Sequence, residues 1–218
     1  MGTVTLTFDN GPEPGVTDDV LDTLAAYDVS AAFFVVGSRI ESAEGLRCAR
    51  RAVDEGHRVG NHTYHHDKAL GLLGPNAARG EIARTQKLLD GIVTERLFRP
   101  IGGDGYDGAL GDHLLSRAAC DLLIAEAFTV VLWNAIPRDW ELPHGWVDVA
   151  LERCRTLDHA VLVLHDLPTG AMTHLPTFLD RAMDEGVRFS CGFPPSCLPL
   201  EHGVPRHALD SYVRPNRV

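Results

Sequence analysis

Asp9-Asn10-Gly11-Pro12 follows an alternating run at residues 4–8, and His62-Thr63-Tyr64-His65-His66 follows a second short run at residues 57–61. A carboxylate and an amide at one strand end, with two imidazoles four residues apart at another, supply the nitrogen and oxygen donors of a hydrolytic metal site. Imidazoles at that spacing face one ion where the backbone between them is helical or tightly turned. A third histidine, His165, closes the most apolar run of the chain, Ala160-Val161-Leu162-Val163-Leu164, and Arg99 and Asp139 also stand after strand-like segments. Hydrolysis of an unreactive bond such as an amide needs an activated water, a stabilised oxyanion and a proton donor for the leaving group. Carboxylate, imidazole and metal are the groups that supply them.

Each motif alone has an ordinary explanation. Asn, Gly and Pro after Asp9 are what a tight turn uses, and His62 and His66 alone fit a solvated loop. His165 alone reads as a core histidine with its hydrogen bonds satisfied, Arg99 as a surface residue, and Asp139-Trp140 as a loop with a packed indole. Together they recur in order at the C-terminal ends of strands, where α/β folds and parallel barrels collect their reactive groups.

The elements that must position these groups alternate between strand and helix, so the fold class is α/β. Thr17 reads as the N-cap of a first helix, with Asp18 and Asp19 favourably placed against its dipole. Residues 31–36 lack alternation and read as a strand buried on both faces. A helix is expected over about residues 40–55, stopped by Gly56, and another over about residues 76–90. Strands are expected at residues 97–98, before the Gly-rich stretch that opens Arg99-Pro100-Ile101-Gly102-Gly103, and at residues 128–133. The region after Leu198 has little periodicity and reads as a tail packed on the body or partly disordered.

A chain of 218 residues with 44% hydrophobic residues is long enough for one sizeable core and short for two, so a single domain is expected. The formal charge of -10 repels a polyanion over most of the surface and argues against nucleic acid, leaving a small molecule or an oligosaccharide as partner. The N-terminus shows no basic and apolar leader, and no window approaches a membrane span, so the expectation is a cytoplasmic protein without membrane contact. The five cysteines form no CxxC pair, which fits reduced thiols, although Cys191 and Cys197 flank a turn that an oxidising compartment would let them close. Oligomeric state is left open.

Thr7-Phe8-Asp9-Asn10-Gly11-Pro12, His62-Thr63-Tyr64-His65-His66, Arg99-Pro100-Ile101-Gly102-Gly103, Asp139-Trp140 and Leu162-Val163-Leu164-His165-Asp166 resemble, in order and spacing, the five motifs of the polysaccharide deacetylases. These are the NodB-homology enzymes of carbohydrate esterase family 4. The resemblance implies a distorted, incomplete (β/α) barrel over residues 1–198, followed by a C-terminal tail at 199–218. It implies hydrolysis of the acetamido C–N bond of N-acetylated amino sugars with a divalent metal, zinc first, held by His62, His66 and the residue at position 10. Asp9 is then the general base, paired with Arg99. His165 is the general acid, oriented by Asp139. Trp140 and Leu164 wall the acetyl pocket, and the N–H of Gly102 holds the oxyanion. His65 points away from the ion.

The chain departs from the family pattern at two positions. Asn10 stands where the family has a second aspartate, so the ligand set is two neutral imidazoles and a neutral amide oxygen, with less charge compensation for the ion. Gly102 stands where the family has an aromatic, which widens the groove; Tyr106 is a candidate to replace the lost surface. Three outcomes stay open: a weakened metal site, a hydrolase that works without metal, and a glycan-binding module without catalysis. A small-molecule amidohydrolase acting on a cyclic amide or ureide is the alternative within enzymes.

Overall fold

A computed structural model of the chain describes residues 2–102, 108–206 and 209–215; Gly103, Asp104, Gly105 and Tyr106 of the Gly-rich loop lie outside the described residues. In chain order its strands are β1 (Thr3–Asp9), β2 (Ala32–Val35), β3 (Arg58–Asn61), β4 (Leu97–Phe98), β5 (Leu115–Ser116) and β6 (Thr129–Val130). After these come β7 (His159–His165), β8 (Arg188–Phe189), β9 (Leu200–Glu201), β10 (Val204–Pro205) and β11 (Val213–Arg214). The α-helices are α1 (Val16–Ala26), α2 (Gly37–Ile40), α3 (Ala43–Asp54), α4 (Pro75–Leu89), α5 (Arg117–Ala125), α6 (Trp146–Thr156) and α7 (Leu175–Asp184). The chain forms two compact units, residues 1–35, 39–59 and 133–194, and residues 36–38, 60–132 and 195–218.

In the first unit β1 is central. It pairs in parallel with β2 from Thr7 opposite Ala32 to Asp9 opposite Phe34, and with β7 from Thr3 opposite His159 to Asp9 opposite His165. β8 adds beside the start of β1. Flanked on both edges, β1 buries Thr5 and Thr7 as well as Val4, Leu6 and Phe8, so its alternation marks two covered faces and not a wet one. Burial of a hydroxyl is tolerable only with a hydrogen bond. Thr7 Oγ1 donates to the Leu162 carbonyl at 2.8 Å, and Thr5 Oγ1 meets both the His159 ring and the Gly192 carbonyl.

Helices α1, α3, α6 and α7 belong to this unit. Gly15, not Thr17, occupies the N-cap of α1, and the Thr17 side chain is buried. The helix expected from residue 40 starts later, as α3, because Ser42 caps it by accepting the Gly45 N–H at 3.0 Å. It ends at Asp54, two residues before Gly56, whose φ of 84° is left-handed. Trp146, at the start of α6, is fully buried, packs its ring at a tilt 5.4 Å from that of Phe178 of α7, and donates its indole N–H to the Ala171 carbonyl at 2.9 Å. Short helices of 9–11 residues such as α5, α6 and α7 give too few turns for periodicity alone to announce them, and they were not among the expected elements.

In the second unit Asn61, at the end of β3, pairs with Phe98 of β4; β4 pairs in parallel with β6, and β6 pairs antiparallel with β9. β9 and β10 form a hairpin, and β11 lies parallel to β5. The segment after Leu198 therefore contributes three strands, with Leu200 and Val213 buried. All five cysteines are free, Cys191 and Cys197 included. Among the described residues no helix is long and apolar enough to cross a membrane.

Trp146→Phe leaves the Ala171 carbonyl without its donor and opens a void, so it is expected to lower unfolding free energy by about 1–3 kcal/mol, read as a reduced urea midpoint at unchanged slope.

Candidate active site

Asp9 and His165 are register partners at the ends of adjacent parallel strands, so their side chains leave the same face about 5 Å apart at the backbone. Asp139 lies on the loop that follows the isolated bridge between Ala135 and Leu162, and it is fully buried. Its Oδ1 accepts from His165 Nδ1 at 2.9 Å and its Oδ2 from the His165 backbone N–H at 2.9 Å. With Nδ1 turned to this carboxylate, Nε2 is the ring nitrogen left outside the pair. Burial acts to lower the His165 pKa, but the hydrogen bond and charge of Asp139, joined by the charges of Asp9 and Asp166, outweigh it and raise the value above the usual 6.5. The Asp139 pair thus favours the protonated ring. Trp140 stands edge-on to the His165 ring at 4.9 Å and is partly exposed, as the wall of a site has to be.

Leu164 does not share that face. Successive strand residues point to opposite sides, so Leu164 aligns with its partner Phe8 in the core, at 0% exposure, while Val163 and Thr7 share the face of His165 and Asp9. The apolar neighbour of His165 on that face is therefore Val163, which the sequence reading passed over because both residues sit in one unbroken apolar run.

The histidine turn of the second unit is built by two polar residues. Asn61 Oδ1 accepts the Thr63 N–H at 3.0 Å and its Nδ2 donates to the Ile82 carbonyl at 2.9 Å. Glu81 on α4 accepts the backbone N–H groups of Tyr64 and His65 at 3.0 and 2.8 Å. Thr63 and His66 have φ of 66° and 62°, so the turn is tight and not helical. It brings the His62 and His66 rings to 4.7 Å between centroids. His65 turns to Glu81, Nδ1 to Oε1 2.6 Å, and is half exposed. His62 Nδ1 lies 2.8 Å from the Arg99 carbonyl, which can only accept, so this bond fixes the proton on Nδ1 and the lone pair on Nε2. Arg99 is fully buried; its guanidinium donates to the carbonyls of Val131 and Leu132 at 3.3 and 3.4 Å. Gly102 is anchored through its carbonyl, which accepts from His113 Nε2 at 3.0 Å.

Among the described residues no group of three His, Cys, Asp or Glu side chains is arranged to hold a metal. Asn10, in the first unit, sits in the left-handed region at φ 71°, and its Oδ1 is buried without a hydrogen-bond partner. An amide oxygen so held keeps its lone pairs available.

The description "Polysaccharide deacetylase" belongs to the family model that matches residues 1–113. The peptidoglycan-N-acetylglucosamine deacetylase PgdA of Listeria monocytogenes is 28% identical over 186 residues, 85% of this chain and 37% of that protein, so the chain spans little more than a third of that relative. A chitooligosaccharide deacetylase of Sinorhizobium fredii is 34% identical, with 75% of this chain and 71% of that protein covered. Among solved structures, a family 4 carbohydrate esterase from Streptomyces lividans in complex with acetate matches with TM-score 0.73 at 26% identity, over 90% of this chain and 96% of that one.

Asp139→Asn removes the charge that opposes burial. The His165 pKa is then expected to fall below its wild-type value in an NMR titration. Because that pKa is raised in the folded state, the pair stabilises the fold below the unfolded value near 6.5 and the gain fades as pH rises through the folded pKa. The variant should lose stability mainly on the acid side of that window; loss mainly on the alkaline side would refute the assignment.

Proposed function

Because the chain belongs to the polysaccharide deacetylase family, and shares its distorted, incomplete (β/α) barrel fold, we propose that it hydrolyses the acetamido C–N bond of N-acetylated amino sugars. The observation that carries this reading is the His165 ring held by Asp139, with the Asp9 side chain delivered by the neighbouring strand end. One group accepts a proton and the other donates one, as amide hydrolysis requires. Asp9 takes the proton of the attacking water, and His165 Nε2 gives one to the departing amine. Arg99 has the role of keeping Asp9 ionised, the Gly102 N–H that of an oxyanion donor, and Trp140 with Val163 that of lining the acetyl pocket.

His62, His66 and Asn10 are the residues proposed to hold a divalent ion, zinc first. Such an ion, when bound, acidifies water and polarises the carbonyl. The neutral set supports weaker binding than a set with a carboxylate. A soluble chitooligosaccharide is the preferred substrate, since the relative covered over most of its own length is by name a chitooligosaccharide deacetylase.

The test is acetate release from chitooligosaccharides by protein stripped of metal and then supplied with zinc or cobalt. Release restored by the ion supports the proposal; release indifferent to chelator refutes the metal role, and glycan binding without release refutes the catalytic one. Asp9→Asn and His165→Ala should each lower kcat by about 10²–10⁴-fold at an unchanged far-UV spectrum. Asn10→Asp should tighten cobalt binding by about tenfold or more in an absorbance titration.

A further inference from the structure

Asp166 follows His165 at the end of β7 and is 1% exposed, among the most buried acids of the chain. Its Oδ2 accepts the Thr17 hydroxyl at 2.5 Å, and Thr17 Oγ1 in turn accepts the Glu13 backbone N–H at 2.8 Å. Gly11 packs so closely that a Cβ on it would lie 2.2 Å from both carboxylate oxygens. Oδ1 has no hydrogen-bond partner, and the surrounding wall includes Phe33, Phe34 and Val35. Burial pushes the Asp166 pKa up to about 7, against the hydrogen bonds of Thr17 and of its own backbone N–H and the charges of His165 and Arg39. A carboxyl half-satisfied in an apolar wall is unfavourable for stability, so its position has to be explained by what it ties together.

It joins the end of β7, the turn after β1 and the first turn of α1. The loop so enclosed begins with Asn10, held in a left-handed conformation. We propose that Asp166 is a positioning residue, which with Thr17 clamps the loop of residues 10–17 to the strand end carrying His165 and so fixes the Asn10 amide. The clamp itself stands on the geometry of the first unit; its consequence for turnover rests on the deacetylase reading.

The experiment compares the wild type with Thr17→Val, Thr17→Ser, Asp166→Ala and Gly11→Ala. Amide exchange at Glu13 in substrate-free protein should speed by about tenfold in Thr17→Val and Asp166→Ala and return close to wild type in Thr17→Ser. Cobalt affinity and kcat should fall by about tenfold or more in the same variants, with KM within about twofold. Gly11→Ala should impair the wild-type background and be nearly neutral beside Asp166→Ala, where its clash is gone. Unchanged exchange in Thr17→Val overturns the clamp. Faster exchange with unchanged kcat and cobalt affinity reduces Asp166 to packing and overturns the positioning role. If Asp166→Ala does not fold, Thr17→Val decides. A wild type that neither binds cobalt nor releases acetate sinks the deacetylase reading and the consequence drawn for Asn10, while exchange still judges the clamp.

Discussion

β1 and β7 run in parallel and in register from Thr3 opposite His159 to Asp9 opposite His165, and that pairing is the constraint on which the chemistry depends. Backbone hydrogen bonds along the ladder make a one-residue slip costly, because a slip would turn every side chain to the other face. The same ladder that places Asp9 beside His165 sends Leu164 and Phe8 into the core. The two polar groups are thus fixed by the interaction that also fixes the hydrophobic layer, so neither side chain needs a flexible loop to find the other.

The charges at this strand end are sorted by their partners. Asp139 is completely buried, yet both its oxygens are engaged by one residue, so the His165 ring is held in orientation. Asp166, next along the chain, has one oxygen engaged and the other unpaired, and burial raises its pKa. Acids of the same type at one strand end differ in hydrogen bonding because of what surrounds them.

The histidine turn follows a different rule. Its left-handed residues, Thr63 and His66, are not glycines, and such conformations persist only where the surroundings impose them. Asn61 and Glu81 impose this one by accepting the backbone donors of the turn. Glu81 belongs to α4, well separated in the chain, which is why the pattern of histidines gave no hint of it.

Much of the fold was legible where periodicity was strong: β1, β2, α3, α4 and β7 lie where apolar runs and their punctuation put them, within a few residues. The short helices α5 to α7 and the strands after Leu198 were not legible, since two or three turns, or two-residue strands, leave too little pattern. Thr17 looked like a cap because residue type is a local signal, whereas its burial against Asp166 is decided by a strand contributed from the far end of the chain. By itself the sequence determined which chemical groups stand at strand ends and in what order, because residue type and local period are written along the chain. Which of those groups meet, which face Val163 and Leu164 take, which nitrogen of His62 keeps its proton and which acid is left unpaired were decided only by tertiary structure, because register, burial and hydrogen-bond partners are set by residues distant in sequence.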